Sequence, residues 1–444
     1  MPDLEPGYTP PRHRHDTYRM SELLTGVRYE DYDEVNENET ENYLESDNDD
    51  EHLRHTLSIL ESTGNDEIRS NAIEWGLPNI HHDDEGSILE LKKQIWSKAL
   101  NMPFLQTYAI NQMSLENSES GDGSVARWQM EQLKALIHHD VFEVRRAAVD
   151  RLTDFLMSLE YHSKPFIFPL ACDLLLEALE DADPSIRRMA IKYFPPLTIG
   201  EERNAEYKAI VIAKALMDPS PAIRRDAAGR IYGEVGPTSS EPSALLAIDL
   251  LERAASDTEV LVRERVYRDY PPLLESDSEI LLEKKAELWK KAISDREAFD
   301  SSNLDQLTPS ESKNSAKILR HLKGPILALL DTDSTNAICH MVDSLILLDG
   351  QDTPAVVAIK RDLLHTALYH PDESVRRRVI RRTALPLNDD SLHVKHIKEG
   401  LWNEFTNLND AVNTDYVVSA FVDQIKYLPH QSIALEPALK LARK

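Results

Sequence analysis

The stretch "DPSIRRMAIKYFPPL", Asp183–Leu197, returns altered as "TEVLVRERVYRDYPPL" (Thr258–Leu273) and as "DESVRRRVIRRTALPL" (Asp372–Leu387). Each copy carries an apolar residue followed by arginine, a small or apolar residue three or four positions on, and a proline stop. Aligned on that step, "NDEIRSNAI", "VFEVRRAAV" and "SPAIRRDAA" join the series, so the arginines are Arg69, Arg145, Arg187, Arg224, Arg263 and Arg376. Their separations of 76, 42, 37, 39 and 113 residues fit one period of about 38, with missing phases near 107, 301 and 338. Near 338, "ALLDTDSTNAICHMVDSLILL" is a degenerate unit with Ile338 and Cys339 at the apolar-arginine step. Near 301, "DREAFDSSNLDQLTPSESKNS" reads as an inserted loop, at about 300–315.

Each unit reads as a helix pair. An apolar helix such as "ACDLLLEALED" or "KAIVIAKALMD" precedes the step, with Leu and Ala at three- and four-residue spacing. A second helix then starts at a capping residue, with or without proline at its first position: Asn65, Asp183 before Pro184, Ser220 before Pro221, and Asp372. On it, Ile186, Met189, Ala190, Tyr193 and Phe194 share one face, as do Val144, Ala147, Ala148, Leu152 and Phe155. Proline ends several second helices, at Pro78, Pro195, Pro271 and Pro386, because it has no amide hydrogen to donate and restricts the residue before it. A pair this small cannot bury both sides of its apolar surface alone, so neighbours must stack.

With "ALEDADPSIRRMAI", "ALMDPSPAIRRDAA", "ALIHHDVFEVRRAAV" and "ALYHPDESVRRRVI", the chain resembles the HEAT-like repeat proteins, in particular the short bacterial-type units of the phycobilisome-lyase class. The resemblance implies an all-α fold, a right-handed α–α superhelix of stacked helix pairs. Residues 1–51 are then an acidic, disordered tail and 52–444 a HEAT-like α-solenoid with degenerate capping helices at about 391–444. It also implies a structural ladder, in which Arg145, Arg187, Arg224, Arg263 and Arg376 pair with turn carboxylates of adjacent repeats. The candidate acceptors are Asp140, Asp181 or Asp183, Asp218, Asp257 and Asp372.

The residue after each ladder arginine is turned about 100° away. Arg146, Arg188, Arg225, Glu264 and Arg377 stand there, with Lys192, Arg268 and Arg381 a turn further on. In arrays of this class second helices line the concave face, so Arg146, Arg188, Lys192, Arg225, Arg268, Arg377, Arg378, Arg381 and Arg382 are the candidate partner-binding residues. The densest patch, Arg376–Arg378 with Arg381 and Arg382, stands close in sequence to Lys395 and Lys398.

Charge bounds the partners. The 444 residues carry a formal charge of −27; residues 1–56 hold 16 acidic against 5 basic groups, and the remainder 61 against 45. Between Glu30 and Glu51, 12 of 22 residues are acidic and none is basic, a composition that stays solvated and is a candidate ligand for the basic ridge of the same chain. Two cysteines, Cys172 and Cys339, read as buried thiols of a reducing compartment. No apolar run reaches membrane-spanning or signal-peptide length, so a cytoplasmic protein is expected. The histidine groups at His13–Asp16, His81–Asp84 and His138–Asp140 lack metal-ligand spacing, and there is no phosphate loop, nucleophile elbow or HExxH stretch. No metal, cofactor or catalytic residue is assigned.

These features favour a non-catalytic scaffold, adaptor or inhibitor that binds another protein, through either an acidic peptide or a basic effector. The alternative is a nucleic-acid-processing, DNA glycosylase-like enzyme on the same repeats. Its basic groove conflicts with the acidic body, and no catalytic aspartate flanked by tryptophans matches around Trp75, Trp96, Trp128, Trp289 or Trp402.

Overall fold

The computed structural model describes residues 50–62, 65–73, 77–80, 84, 86–113, 123–161, 167–197, 202–232, 240–299, 315–345, 352–383, 385–386, 390–407, 418–419 and 422. The acidic tail up to residue 49, nearly all of the expected insert and most of the C-terminal stretch after 407 lie outside them. Among the described residues every regular element is a helix. The chain divides into two compact units, Met1–Ser114 and Leu115–Lys444, a boundary that falls inside the stretch read as one array.

The first unit holds α1 (Asp50–Ser62), α2 (Asp66–Ala72), α3 (Gly86–Leu100) and α4 (Gln106–Gln112). The last two residues of the acidic run, Asp50 and Glu51, open α1, where carboxylates oppose the helix dipole favourably. Asn65 caps α2 by accepting from the Glu67 amide at 2.9 Å. The α1 helix packs on α2 and α3, and α4 on α3, burying Leu60, Ile95, Ala99, Ala109 and Ile110.

The second unit runs, pair by pair, through α5 (Ser124–Ile137) and α6 (Phe142–Tyr161), α7 (Ile167–Ala178) and α8 (Pro184–Lys192), α9 (Ala205–Ala215) and α10 (Pro221–Ala228), and α11 (Glu241–Ala254) and α12 (Val260–Arg268). Then come α13 (Glu279–Ser294), α14 (Ala316–Leu330) with α15 (Thr335–Leu345), α16 (Pro354–Leu368) with α17 (Glu373–Arg382), and α18 (Leu392–Asn407). First helices pack on first helices along the whole series from α5 to α18, and second helices on second helices from α6 to α12 and from α15 to α17. That pattern of neighbours is an all-α solenoid of stacked helix pairs. From α9 onward the first helices start at 205, 241, 279, 316, 354 and 392, which keeps the period read from sequence even where the arginine step is lost.

The apolar stripe of α6 is buried as its spacing predicts, with Val144, Ala148, Leu152 and Phe155 at 3% exposure or less. On α8 the prediction holds at Ile186, Ala190 and Phe194, is only partly met at the half-buried Met189, and fails at Tyr193. Tyr193 is 48% exposed, because the helix ends at Lys192 and Tyr193 leaves the helical path at φ −108° and ψ 8°; Phe194 is the aromatic that enters the core. Two further expectations are corrected. Ser220 stands at the N-cap of α10 but its side chain makes no cap bond, while its amide donates to Asp218 at 2.8 Å. Cys172 is buried but Cys339 is only partly so; burial pushes the Cys339 thiol above its usual range, although Arg378 pulls the other way.

Candidate functional site

Two sets of ion pairs absorb much of the charge of the array. The first joins consecutive second-helix turns. Arg145 Nε donates to Asp181 at 2.7 Å, Arg187 to Asp218 at 2.8 Å, Arg224 to Asp257 at 2.7 Å and Arg263 to Asp295 at 2.6 Å, each with a second contact from Nη2 to the other carboxylate oxygen. Nη1 of each turns back to the carbonyls six and five residues earlier, which for Arg224 are those of Asp218 and Pro219. One guanidinium thus satisfies two carbonyls of the turn after a first helix and forks onto the next unit's carboxylate. The carboxylate reciprocates locally: Asp181, Asp218 and Asp257 accept the amides of Asp183, Ser220 and Glu259. Burial opposes ionisation of Asp218, Asp257 and Asp295, but the arginine bonds, the accepted backbone amides, the guanidinium charges and, at Asp295, the Tyr267 hydroxyl together hold all three carboxyls below the usual range.

Against the candidate acceptors, the structure selects Asp181 over Asp183 and adds Asp295. Asp183 and Asp372 are N-caps that accept from Ser185 and Ser374, and Asp140 offers Arg145 only its carbonyl. The guanidinium of Arg376 bonds to the His370 and Pro371 carbonyls, and the turn that follows α18 lies outside the described residues. Where the array lacks the arginine, at the Ile338–Cys339 step, the turn of the next unit carries His370, whose ring nitrogen accepts the Asp372 amide at 3.0 Å.

The second set was not anticipated from sequence. Buried lysines on first helices reach back eight residues to an aspartate just before the helix: Lys92 to Asp84 (2.8 Å), Lys285 to Asp277 (2.7 Å), Lys360 to Asp352 (2.8 Å) and Lys398 to Asp390 (3.0 Å). Lys285 also donates to the Pro272 carbonyl, and the buried Lys208 to that of Pro196. One turn on, Trp96 and Trp289 donate to the Pro78 and Pro271 carbonyls. The carbonyls of Pro78, Pro196, Pro271 and Pro272 are therefore held by lysine or tryptophan donors from the following helix. Lys398, expected near the arginine patch, is 1% exposed and belongs to this clamp. The signal was present as Asp-Ser/Thr followed by lysine at the eighth position, in "DSEILLEKK", "DTPAVVAIK" and "DSLHVKHIK".

What remains is the exposed row of second-helix cations. Arg146 and Arg225 are exposed, and among the described residues neither has a carboxylate or hydrogen-bond partner. Arg188 bonds Asp226 of the next unit at 2.6 Å, with half of its side chain exposed. Lys192 lies 4.8 Å from the Tyr193 ring centroid, and Arg268 and Arg381 are exposed. The dense patch is more neutral than its sequence implies. Arg377 pairs with Glu373, and Arg378 and Arg382 both converge on Asp343 of the preceding second helix. Burial disfavours the Asp343 carboxylate, yet the two arginines hold it below the usual range.

Of the histidine groups, residues 13–16 and 81–83 lie outside the described residues. His138 bonds Glu177 at 2.8 Å, and His139 accepts the Val141 amide. No group of metal-ligating type is present among the described residues, nor is any helix there long and apolar enough to cross a membrane.

Helix pairs stacked in two rows, joined unit to unit by a guanidinium–carboxylate ladder, make the Leu115–Lys444 unit an all-α solenoid of repeated helix pairs. No protein-family model matches the chain, and no curated protein matches it. Among solved structures, the chain is similar to an engineered protein at 13% identity, covering 85% of this chain and all of that one with a TM-score of 0.38. It is also similar to a chain of the Kap95:Nup1 complex at 11% identity, covering 88% of this chain and 55% of that one with a TM-score of 0.32.

Proposed function

We propose that the chain is a non-catalytic protein-binding scaffold, in which the Leu115–Lys444 unit holds an acidic segment of another protein against the exposed cations of its second helices. The observation that carries this reading is the division of labour between adjacent arginines. Arg145 and Arg224 are committed to the ladder, while Arg146 and Arg225, one step on, face solvent with no partner among the described residues. An acidic segment is the chemistry that such a row complements, and steering by charge makes its association fast and salt-dependent. The chain's own residues 30–51 have the required composition and are the intramolecular form of the same ligand.

Fluorescence anisotropy of a labelled glutamate-rich peptide against the full chain tests the reading. Binding that weakens steeply with added salt, and by about tenfold or more on combining Arg146→Ala, Arg188→Ala and Arg225→Ala, is expected. Salt-insensitive binding, or affinity unchanged in that triple variant, overturns it.

A further inference from the structure

The four ladder arginines each have a carboxylate. Arg230 does not. It is half-buried just past the C-terminus of α10, and its guanidinium donates to the Lys192 carbonyl at the end of α8. Its own carbonyl accepts the Leu197 amide at 2.9 Å, so backbone and side chain together fix it between two units. Among the described residues no carboxylate lies within ion-pair distance of it. A second guanidinium stands beside it instead. Arg265 of α12 packs flat against Gly229, where an added Cβ would meet its Nε at 2.7 Å, so glycine is the residue that admits an arginine there. Burial, and then the neighbouring Arg265, hold the Arg230 guanidinium below its ordinary pKa, with Asp226 and Tyr193 opposing.

The surrounding charges do not close the account. Asp226 is drawn to Arg188 at 2.6 Å, and Asp269 to Arg265 at 2.9 Å. Lys192 adds a further exposed cation at the end of α8, and Tyr193 lies half-exposed beneath it. The α8 carbonyl end favours a cation, but a helix terminus contributes only about half an elementary charge. Two half-buried guanidinium forks side by side match the geometry of an oxyanion, which accepts several charge-assisted bonds at once.

We infer that the C-terminal ends of α8, α10 and α12 form a binding site for a single oxyanion, a carboxylate or phosphate carried by an acidic peptide side chain and held between Arg230 and Arg265. The site deepens the scaffold reading by giving the acidic segment one anchoring residue. Its test uses free ions, so it stands or falls independently of the peptide measurement at Arg146, Arg188 and Arg225.

Thermal unfolding and calorimetric titration of the full chain are measured with inorganic phosphate, with acetate and with chloride at matched ionic strength, for the wild type and for Arg230→Gln, Arg265→Gln and Gly229→Ala. Phosphate or acetate is expected to raise the melting temperature above that in chloride, with an affinity about tenfold lower in each variant. A response to phosphate well above that to acetate assigns the oxyanion to a phosphorylated side chain; an equal response assigns it to Asp or Glu. In chloride, Arg230→Gln is expected to lower the melting temperature by no more than about one or two degrees, the loss of the bond to the Lys192 carbonyl, because the charge it removes has no carboxylate partner. A chloride melting temperature lowered by several degrees in that variant marks Arg230 as structural and overturns the inference. So does a phosphate response that is equal in the wild type and all three variants.

Discussion

Two stretches of the second-helix row stack by different chemistry. From α6 to the turn after α13 each unit sends an arginine forward to the next unit's aspartate, and the same guanidinium satisfies its own turn. Between α15 and α17 the direction reverses. Ile338 and Cys339 stand where the apolar-arginine step would be, Thr335 meets Asp372, and Arg378 and Arg382 reach back to Asp343. The ladder arginines keep only 12–18% of their side-chain surface exposed, whereas Arg378 and Arg382 keep 33% and 45%. Repeats of one period can therefore be joined by a desolvated fork or by a wetter surface cluster, and the two should differ in what they contribute to stability.

The lysine clamps occur in both stretches and serve as the reference. Lys285→Ala and Lys360→Ala each leave an aspartate buried without its cation, and each is expected to destabilise its stretch by about 3–5 kcal/mol in chemical denaturation. Unequal losses would show that the two stretches differ in more than their second helices. Arg224→Ala is expected to cost about 3 kcal/mol, with Asp257 left behind, while replacing both residues by leucine should come out near neutral. Asp343→Asn, in the wetter cluster, should cost only about 1 kcal/mol, and should also tighten acidic-peptide binding by releasing Arg378 and Arg382. Equal losses for Arg224→Ala and Asp343→Asn would erase the distinction.

Acid sharpens it further. The folded-state pKa values of Asp218, Asp257 and Asp295 lie below their unfolded value of about 3.9. Their contribution is thus complete above that pH and is lost as pH falls through the lower, folded values. Hydrogen exchange at pH 5 and at pH 3 should show protection of α8, α10 and α12 falling with acid, and Asp257→Asn should flatten that dependence at α10 and α12. At the small end, Arg146→Ala should change stability by less than about 0.5 kcal/mol, because its side chain is exposed and meets no partner among the described residues.

The helix pairs were legible because three signals coincided: the apolar stripes, the caps with proline at the first position, and the proline stops. The ladder arginines were legible through their period. Their acceptors were only partly so, because "DADPSI" offers Asp181 and Asp183 within one turn, and sequence cannot say which carboxylate closes the turn and which caps the helix. Asp295 was hidden because the arginine that should follow it is absent from the next phase. The buried lysines went unread for a general reason: a lysine in an amphipathic helix is ordinarily solvated, and only the aspartate eight residues before it marks it as desolvated. The anion site at Arg230 had no sequence signal, since Gly229, Arg230 and Arg265 are brought together only by stacking of the units.

The central claim is that the first arginine of each doublet joins neighbouring repeats. A double-mutant cycle on Arg224 and Asp257, using Arg224→Ala, Asp257→Ala and the pair, tests it most directly by equilibrium denaturation. The account predicts a coupling energy of about 2 kcal/mol, within the range seen for residues of one ion-pair network. A coupling below about 0.5 kcal/mol, with losses that simply add, would contradict it.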